Sequence, residues 1–326
     1  MIVVGVEGTA HTFGVGVVDS VGWRILSDVR STYTPAVGSG ILPRDAAQFM
    51  GENAGETIRK ALVDANVGWS DVDAVAFSQG PGLGPCLRTA ATSARALALY
   101  HKKPLVGVNH CIAHIEVGRV LAGFKKPLVL YVSGGNSQVI EFNGGRYRVF
   151  GETQDIGVGN MLDKFGREVG IQHPAGPKIE VLARDGGKYL PLPYVVKGTD
   201  LSFSGILTAA LKYHKEGERL EDVCFSLQET AFAMLCEVTE RALAHLNAKE
   251  VLLTGGVGYN KRLAEMVSLV ASEHGAKFAN AGKYNGDNGA MIAVVGALMR
   301  RAGLETPIDE SQVYPNQRTD DVEIVW

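Results

Sequence analysis

The 326-residue chain has little of what marks several protein classes. It has four cysteines, Cys86, Cys111, Cys224 and Cys236, and no CxxC pair, so neither a zinc knuckle nor a dithiol redox motif is signalled. Scattered cysteines in a chain of this size predict reduced thiols and a cytosolic protein. Basic charge is not in excess. Against 35 Asp+Glu stand 32 Lys+Arg, a net charge of −3, which argues against a chain that holds nucleic acid by bulk electrostatics. A local basic groove or a basic partner is compatible with it. No apolar run reaches the roughly 18 residues that span a bilayer. The opening MIVVGVEGTAH lacks the basic start of a secretion signal. Three motifs are absent: GK[ST], a GxGxxG opening a helix after the first strand, and HExxH.

Glycine is abundant instead, at 40 residues or about 12%, against a typical ~7%. Glycines cluster at the ends of apolar runs, which predicts many tight strand-to-loop turns. Hydrophobic residues make up 46% of the chain, enough for a sizeable core. At roughly 100–200 residues per domain, the length favours two domains, placed at 1–127 and 128–326, with the last ~25 residues expected to pack back on the first. Met1–Val6 and Phe13–Val18 read as a hairpin around Glu7-Gly8-Thr9-Ala10-His11-Thr12. Residues 31–45 read as a loop and 44–66 as a helix. Then come a strand at 74–78, a Gly/Pro loop at 80–85, a helix over 87–100, a strand at 105–108 and a helix from His110. At Pro127 the pattern restarts. Leu128–Val132, the turn Ser133–Ser137 and the strand 138–142 repeat the opening hairpin. The repeat suggests internal duplication, although two hairpins also arise by chance. After a Gly/Pro region at 170–200, helices are predicted near 203–214, over 221–247 and from Asn288 to Met299, with a strand at 251–254. Alternating strands and helices give an α/β fold.

Five patterns carry chemistry. The small-residue turns at Gly8-Thr9 and at Ser133-Gly134-Gly135-Asn136 let backbone amides approach a phosphate, though glycine turns also serve geometry alone. Val251–Thr254 runs into Gly255-Gly256-Val257-Gly258-Tyr259-Asn260, a strand-to-helix turn of the kind that receives nucleotides in open α/β sheets, or simply a tight turn. In Asn109-His110-Cys111-Ile112-Ala113-His114 two histidines four apart share a helix face and can hold one metal; buried or capping histidines are the plainer reading. Asp287-Asn288-Gly289-Ala290 places an acid before an apolar helix. It is an N-cap first, and equally a carboxylate able to complete a two-histidine site. Asp163 and Glu180 sit beside glycine-rich stretches, where carboxylates can accept ribose hydroxyls or simply be solvated.

Taken together these motifs resemble the tRNA threonylcarbamoyladenosine transferase family in its archaeal/eukaryotic branch, the catalytic subunit of the KEOPS complex. The resemblance runs from Gly5–Thr12 through Ser78–Pro85, Val108–His114, Tyr131–Asn136, Asp200–Gly205 and Asp287–Ala293 to Arg318–Trp326. It implies the actin-like ATPase fold, two ribonuclease-H-like domains around a nucleotide cleft. It implies one divalent metal per subunit, iron or zinc, on His110, His114, Tyr131 and Asp287. It implies an adenine nucleotide, threonylcarbamoyl-AMP or ATP with Mg, held by Tyr131, Val132, Ser133, Gly134, Gly135, Asp163, Gly176, Glu180 and Asn260. The implied reaction moves threonylcarbamoyl from threonylcarbamoyl-AMP to an adenosine amine of tRNA in the cytoplasm. KEOPS subunits, including a small kinase on a separate chain, are the implied partners, with no membrane. Glu7 and His11 are the candidate catalytic residues of the first turn, where His11-Thr12 departs from the acidic pair that bacterial members carry. Ala175 and Phe49-Met50 are further departures from the pattern. A small-molecule kinase, a metalloprotease and an ATP-gated binding module are the competing readings.

Overall fold

The structure, a computed structural model, describes residues 1–36 and 39–326; within the loop expected over 31–45, residues 37 and 38, Gly38 among them, lie outside the described residues. In chain order the first half contains β1 (Ile2–Glu7), β2 (Thr12–Asp19), β3 (Arg24–Thr32), α1 (Pro43–Ala65), β4 (Ala74–Gly80), α2 (Gly84–His101), β5 (Leu105–Asn109) and α3 (His110–Ala122). The second half contains β6 (Leu128–Val132), β7 (Ser137–Asn143), β8 (Arg146–Glu152), α4 (Val158–Glu168), α5 (Gly176–Arg184), β9 (Val196–Lys197), β10 (Asp200–Leu201), α6 (Ser204–Lys215), α7 (Leu220–Leu246), β11 (Glu250–Thr254), α8 (Lys261–Glu273), β12 (Lys277–Asn280) and α9 (Gly289–Arg301).

The duplication is real at the level of topology. One five-stranded sheet runs β3-β2-β1-β4-β5 and the other β8-β7-β6-β11-β12. In each, a three-strand antiparallel meander is extended by two parallel strands, one against its first strand and the next outside that one. The inner strands are continuous apolar runs, such as IVVGVE and LVLYV, because helices cover both faces.

α1 and α2 close a core on the outer face of the first sheet. α4 to α8 do the same for the second. Between the sheets a third core joins residues of both, including Val3, Val106, Val129 and Leu252, with α3 and α9 in the middle layer. α9 comes so near the first sheet that only glycine fits. A Cβ on Gly16 would stand 2.1 Å from the Ala290 nitrogen, and one on Gly289 2.1 Å from the Gly16 nitrogen. Part of the glycine excess therefore serves close helix-to-sheet packing rather than turns.

The tail spans both halves. Tyr314 donates its amide to the Gln79 carbonyl at 2.7 Å, while Ile324 donates to the Gly145 carbonyl at 2.7 Å. Its path thus runs from the first sheet onto the second. Other elements differ from expectation. β3 and β12 are half-buried edge strands carrying charge, RILSDVRST and KFAN, so they show no apolar run. The Gly/Pro region at 170–200 contains α5, which a proline in its first turn opens. Among the described residues no helix is long and apolar enough to cross a membrane, and the four cysteines are free and buried.

Candidate metal centre and cleft

The middle layer brings the starts of α3 and α9 together. Asn109 caps α3, its side-chain oxygen accepting from the amides of Cys111 at 2.9 Å and Ile112 at 3.1 Å. His110 is therefore not spent on capping, and His114 follows one turn later on the same face. The two rings stand edge to face with centroids 4.7 Å apart, both buried. The cap of α9 is Asn288, not the Asp287 that the sequence suggests. Asn288 Oδ1 accepts from the Met291 amide at 2.8 Å, and its side-chain amide donates to the Gly286 carbonyl at 2.8 Å. Asp287 can then turn to the histidines.

Asp287 Oδ1 lies 3.5 Å from His110 Nε2 and 3.3 Å from His114 Nε2. One atom from each of the three residues falls within 4.8 Å of the others. Two ligands of a tetrahedral ion, each bonded at ~2.0–2.1 Å, stand about 3.3 Å apart, so the spacing fits a cation. Two imidazoles and a carboxylate suit zinc and non-haem iron alike.

Glu7 is wholly buried and fully engaged. Its Oε1 accepts from the Thr9 amide at 2.8 Å and the Thr9 hydroxyl at 2.6 Å, and its Oε2 lies 3.1 Å from His110 Nδ1. A carboxylate on the far nitrogen fixes the tautomer of a ligating imidazole. Burial opposes charge on His110, but Glu7 and Asp287 outweigh it and push the imidazole up to about 9. His114 goes the other way, lowered by burial first, with the hydrogen bond to Asp287 opposing and the charge of His110 assisting. Burial also works against the Asp287 carboxylate, yet the neighbouring imidazoles hold it well below the usual range.

Tyr131, at the end of β6, packs its ring against His114 with centroids 5.4 Å apart. Burial, then the neighbouring Cys111, pushes its phenol well up. From Tyr131 and Val132 the chain enters the Ser133–Asn136 loop, where Gly134 and Gly135 are exposed. The first turn of α4 grips that loop, Gly159 donating to the Ser133 carbonyl at 3.1 Å and Asn160 to the Gly134 carbonyl at 3.0 Å.

Asp163 lies inside α4 and Glu180 inside α5, so neither sits in a glycine loop. Asp163 Oδ1 accepts from the Ala175 amide at 2.8 Å, which fixes the segment leading to Gly176 at the start of α5. Glu180 takes the Arg184 guanidinium at 2.9 Å and the Lys261 amide at 3.3 Å. Asn260 caps α8 and donates to Gln228 Oε1 at 2.9 Å. Glu180 and Asn260 are thus neighbours. Glu7, His110, His114, Tyr131 and Asp287 form one cluster.

His11 feels the charges of Asp287 and Asp163 while burial lowers it, and it connects the cluster to the Asp163 segment through His173, at a ring-centroid distance of 5.4 Å. His173 was not anticipated. The one signal available for it was its place just before the Pro174–Pro177 run. The pairing of Glu7 with His110 had no local signal, the two being 103 residues apart.

Two matched five-stranded sheets, a shared middle layer and a His-His-Asp cluster at its helix starts define an actin-like ATPase fold with a candidate metal centre. The fold recurs in solved structures of low identity. HypF of Thermococcus kodakarensis superposes with a TM-score of 0.63 at 15% identity, over 92% of this chain and 48% of that one. The activator of the 2-hydroxyisocaproyl-CoA dehydratase of Clostridium difficile, with bound ADPNP, gives 0.55 at 9% identity, over 94% and 99%. Residues 24–294 match the family described as tRNA N6-adenosine threonylcarbamoyltransferase. The protein of that description from Archaeoglobus fulgidus is 56% identical over the full length of both chains. A probable bifunctional tRNA threonylcarbamoyladenosine biosynthesis protein of Methanosarcina acetivorans is 55% identical over 99% of this chain, which spans 59% of that protein. The chain belongs to the tRNA N6-adenosine threonylcarbamoyltransferase family.

Proposed function

We propose that this protein transfers the threonylcarbamoyl group of threonylcarbamoyl-AMP to the exocyclic amine of the adenosine 3′ of the anticodon, in tRNAs reading codons that begin with A. AMP is the other product. The observation that carries the reading is full-length identity of 56% to a relative of that description, together with a His-His-Asp cluster, its histidines buried, at the starts of α3 and α9.

His110, His114 and Asp287 hold one iron or zinc ion, with Tyr131 as an added ligand. When bound, such an ion polarises a carbonyl oxygen and orients the group attached to it. Glu7 keeps the His110 proton on Nδ1, so that Nε2 faces the site. The amides of Tyr131 to Gly135 cradle the phosphate of the adenine nucleotide, where their donors stabilise the charge of departing AMP. Asp163, Gly176, Glu180 and Asn260 line the nucleoside side, and Mg accompanies ATP when ATP is the nucleotide. His11 stands between the cluster and that side. An imidazole there can take part in proton transfer.

Residues 1–127 and 128–326 act as the two walls of the cleft. The net charge of −3 leaves partner subunits to supply much of the surface for tRNA phosphates. KEOPS subunits in the cytoplasm, with a small kinase among them, are those partners.

The test mixes the protein with preformed threonylcarbamoyl-AMP and unmodified tRNA, with and without the partners, and quantifies modified nucleoside by mass spectrometry. Product from wild type that is lost in His110→Ala supports the reading. Absence of product with all partners present contradicts it.

A further inference from the structure

Two histidines from distant parts of the chain stand side by side, each with an unpartnered ring nitrogen. His11 belongs to the β1–β2 turn and His173 to the α4–α5 connection. Their rings stand edge to face, centroids 5.4 Å apart. Among the described residues neither His11 Nδ1 nor His173 Nε2, both buried atoms, has a hydrogen-bond partner. Buried polar atoms are nearly always paired, so two unpartnered ring nitrogens on adjacent histidines are free to meet a polar group of a ligand.

The two histidines are not equivalent. His173 Nδ1 lies 3.2 Å from Asp163 Oδ2. The other Asp163 oxygen accepts from the Ala175 amide at 2.8 Å. One carboxylate thus touches the ring of His173 and fixes the backbone two residues beyond it. A carboxylate beside Nδ1 keeps the ring proton there and leaves Nε2 as a lone pair, the arrangement of a histidine that takes a proton. His11 has no carboxylate partner of that kind among the described residues. It lies between His173 and Asp287, whose charge acts on it.

Given the transfer reaction proposed above, on which this inference rests, we propose that His173, held by Asp163, is the general base that takes the proton from the adenosine amine. As the amine nitrogen bonds to the carbamoyl carbon, the bond from that carbon to the phosphate oxygen breaks. The electron pair of that bond leaves with AMP. The proton of the amine passes to His173 Nε2, and Asp163 stabilises the imidazolium. His11 is a positioning residue that presents the amine to His173. The charged and titratable groups facing His173 are Asp163 from α4 and His11 from the β1–β2 turn, with Asp287 beyond His11.

The experiment is single-turnover transfer from preformed threonylcarbamoyl-AMP to unmodified tRNA, in the assembled complex, across pH 5.5 to 9. Wild type, His173→Ala and His173→Gln are compared, with tRNA affinity and melting temperature measured alongside. His173→Ala is expected to lose about 10²–10⁴-fold in rate, the usual contribution of a general base, with tRNA affinity and melting temperature unchanged. The acid limb of the wild-type profile disappears in the variant. Added imidazoles restore the rate of His173→Ala, the more basic ones more effectively. A His173→Ala rate within about threefold of wild type overturns the assignment. So does a slow variant that keeps the acid limb and does not respond to imidazole. An inactive wild type removes the transferase reading and this inference with it. An active wild type beside an unimpaired His173→Ala removes this inference alone.

Discussion

Gly16→Ala places a methyl group where the first sheet meets α9. Its Cβ would stand 2.1 Å from the Ala290 nitrogen and 2.5 Å from the Ala290 Cα. Ordinary contact begins near 3.4 Å, so α9 must retreat by about 3.4 − 2.1, or ~1.3 Å. Both neighbours are backbone, and no side chain can rotate away. Forced overpacking of this kind costs about 1–3 kcal/mol. The retreat has a second effect, because Asp287 lies just before α9 and must stay 3.3–3.5 Å from the two histidines. Metal–ligand distances tolerate only about ±0.2 Å. Gly16→Ala is therefore expected to lose metal as well as stability. Gly51→Ala is the control: it lies in α1 with nothing within 4 Å, and is expected to be neutral or stabilising by up to ~1 kcal/mol. The assay is metal content by mass spectrometry of the purified proteins together with urea unfolding. A Gly16→Ala protein with full metal content and unfolding within ~0.5 kcal/mol of wild type refutes the reasoning.

Three further outcomes are expected. Glu7→Gln replaces the carboxylate behind His110 Nδ1 with a neutral amide, and metal affinity falls about 10–100-fold in a chelator competition. Asn288→Ala removes a buried cap that uses both its oxygen and its amide; it costs about 2–3 kcal/mol in urea unfolding and lowers metal content, since Asp287 is next to it. The third concerns acid. Burial works against the Asp155 carboxylate, but the Ser204 hydroxyl and the amides of Phe203, Ser204 and Ile156 outweigh it and hold Asp155 down at about 2. A depressed carboxylate stabilises the fold above its unfolded value of 3.8 and loses that contribution as pH falls through about 2. The melting gap between wild type and Asp155→Asn is therefore full above pH ~4 and closes towards pH ~2, as thermal scans across that range will check.

Much of the fold was legible where burial on both faces writes a continuous apolar run, as in β1, β6 and β11. Edge strands escaped notice because one side faces water: β3 mixes arginine and aspartate with its apolar residues. α4 escaped because it opens on glycine without a side-chain cap. The His110–His114 pair was legible because helix periodicity is local. Asp287 was visible as a residue, but Asn288, its neighbour, takes the capping role that sequence habit gives to the acid. What joins Glu7 to His110 and Asp163 to His173 is the closure of two sheets on one helical layer, and no local pattern encodes those distances.

The central claim is that the His-His-Asp cluster and the transfer reaction are one site. The most direct measurement titrates iron or zinc into chelated protein with its partners and follows both metal content and modified nucleoside formed from preformed threonylcarbamoyl-AMP. Product rate is expected to rise in proportion to metal content and to saturate at one ion per chain, with His114→Ala neither binding nor reacting. Full activity of the chelated protein, or of His114→Ala, would contradict the claim.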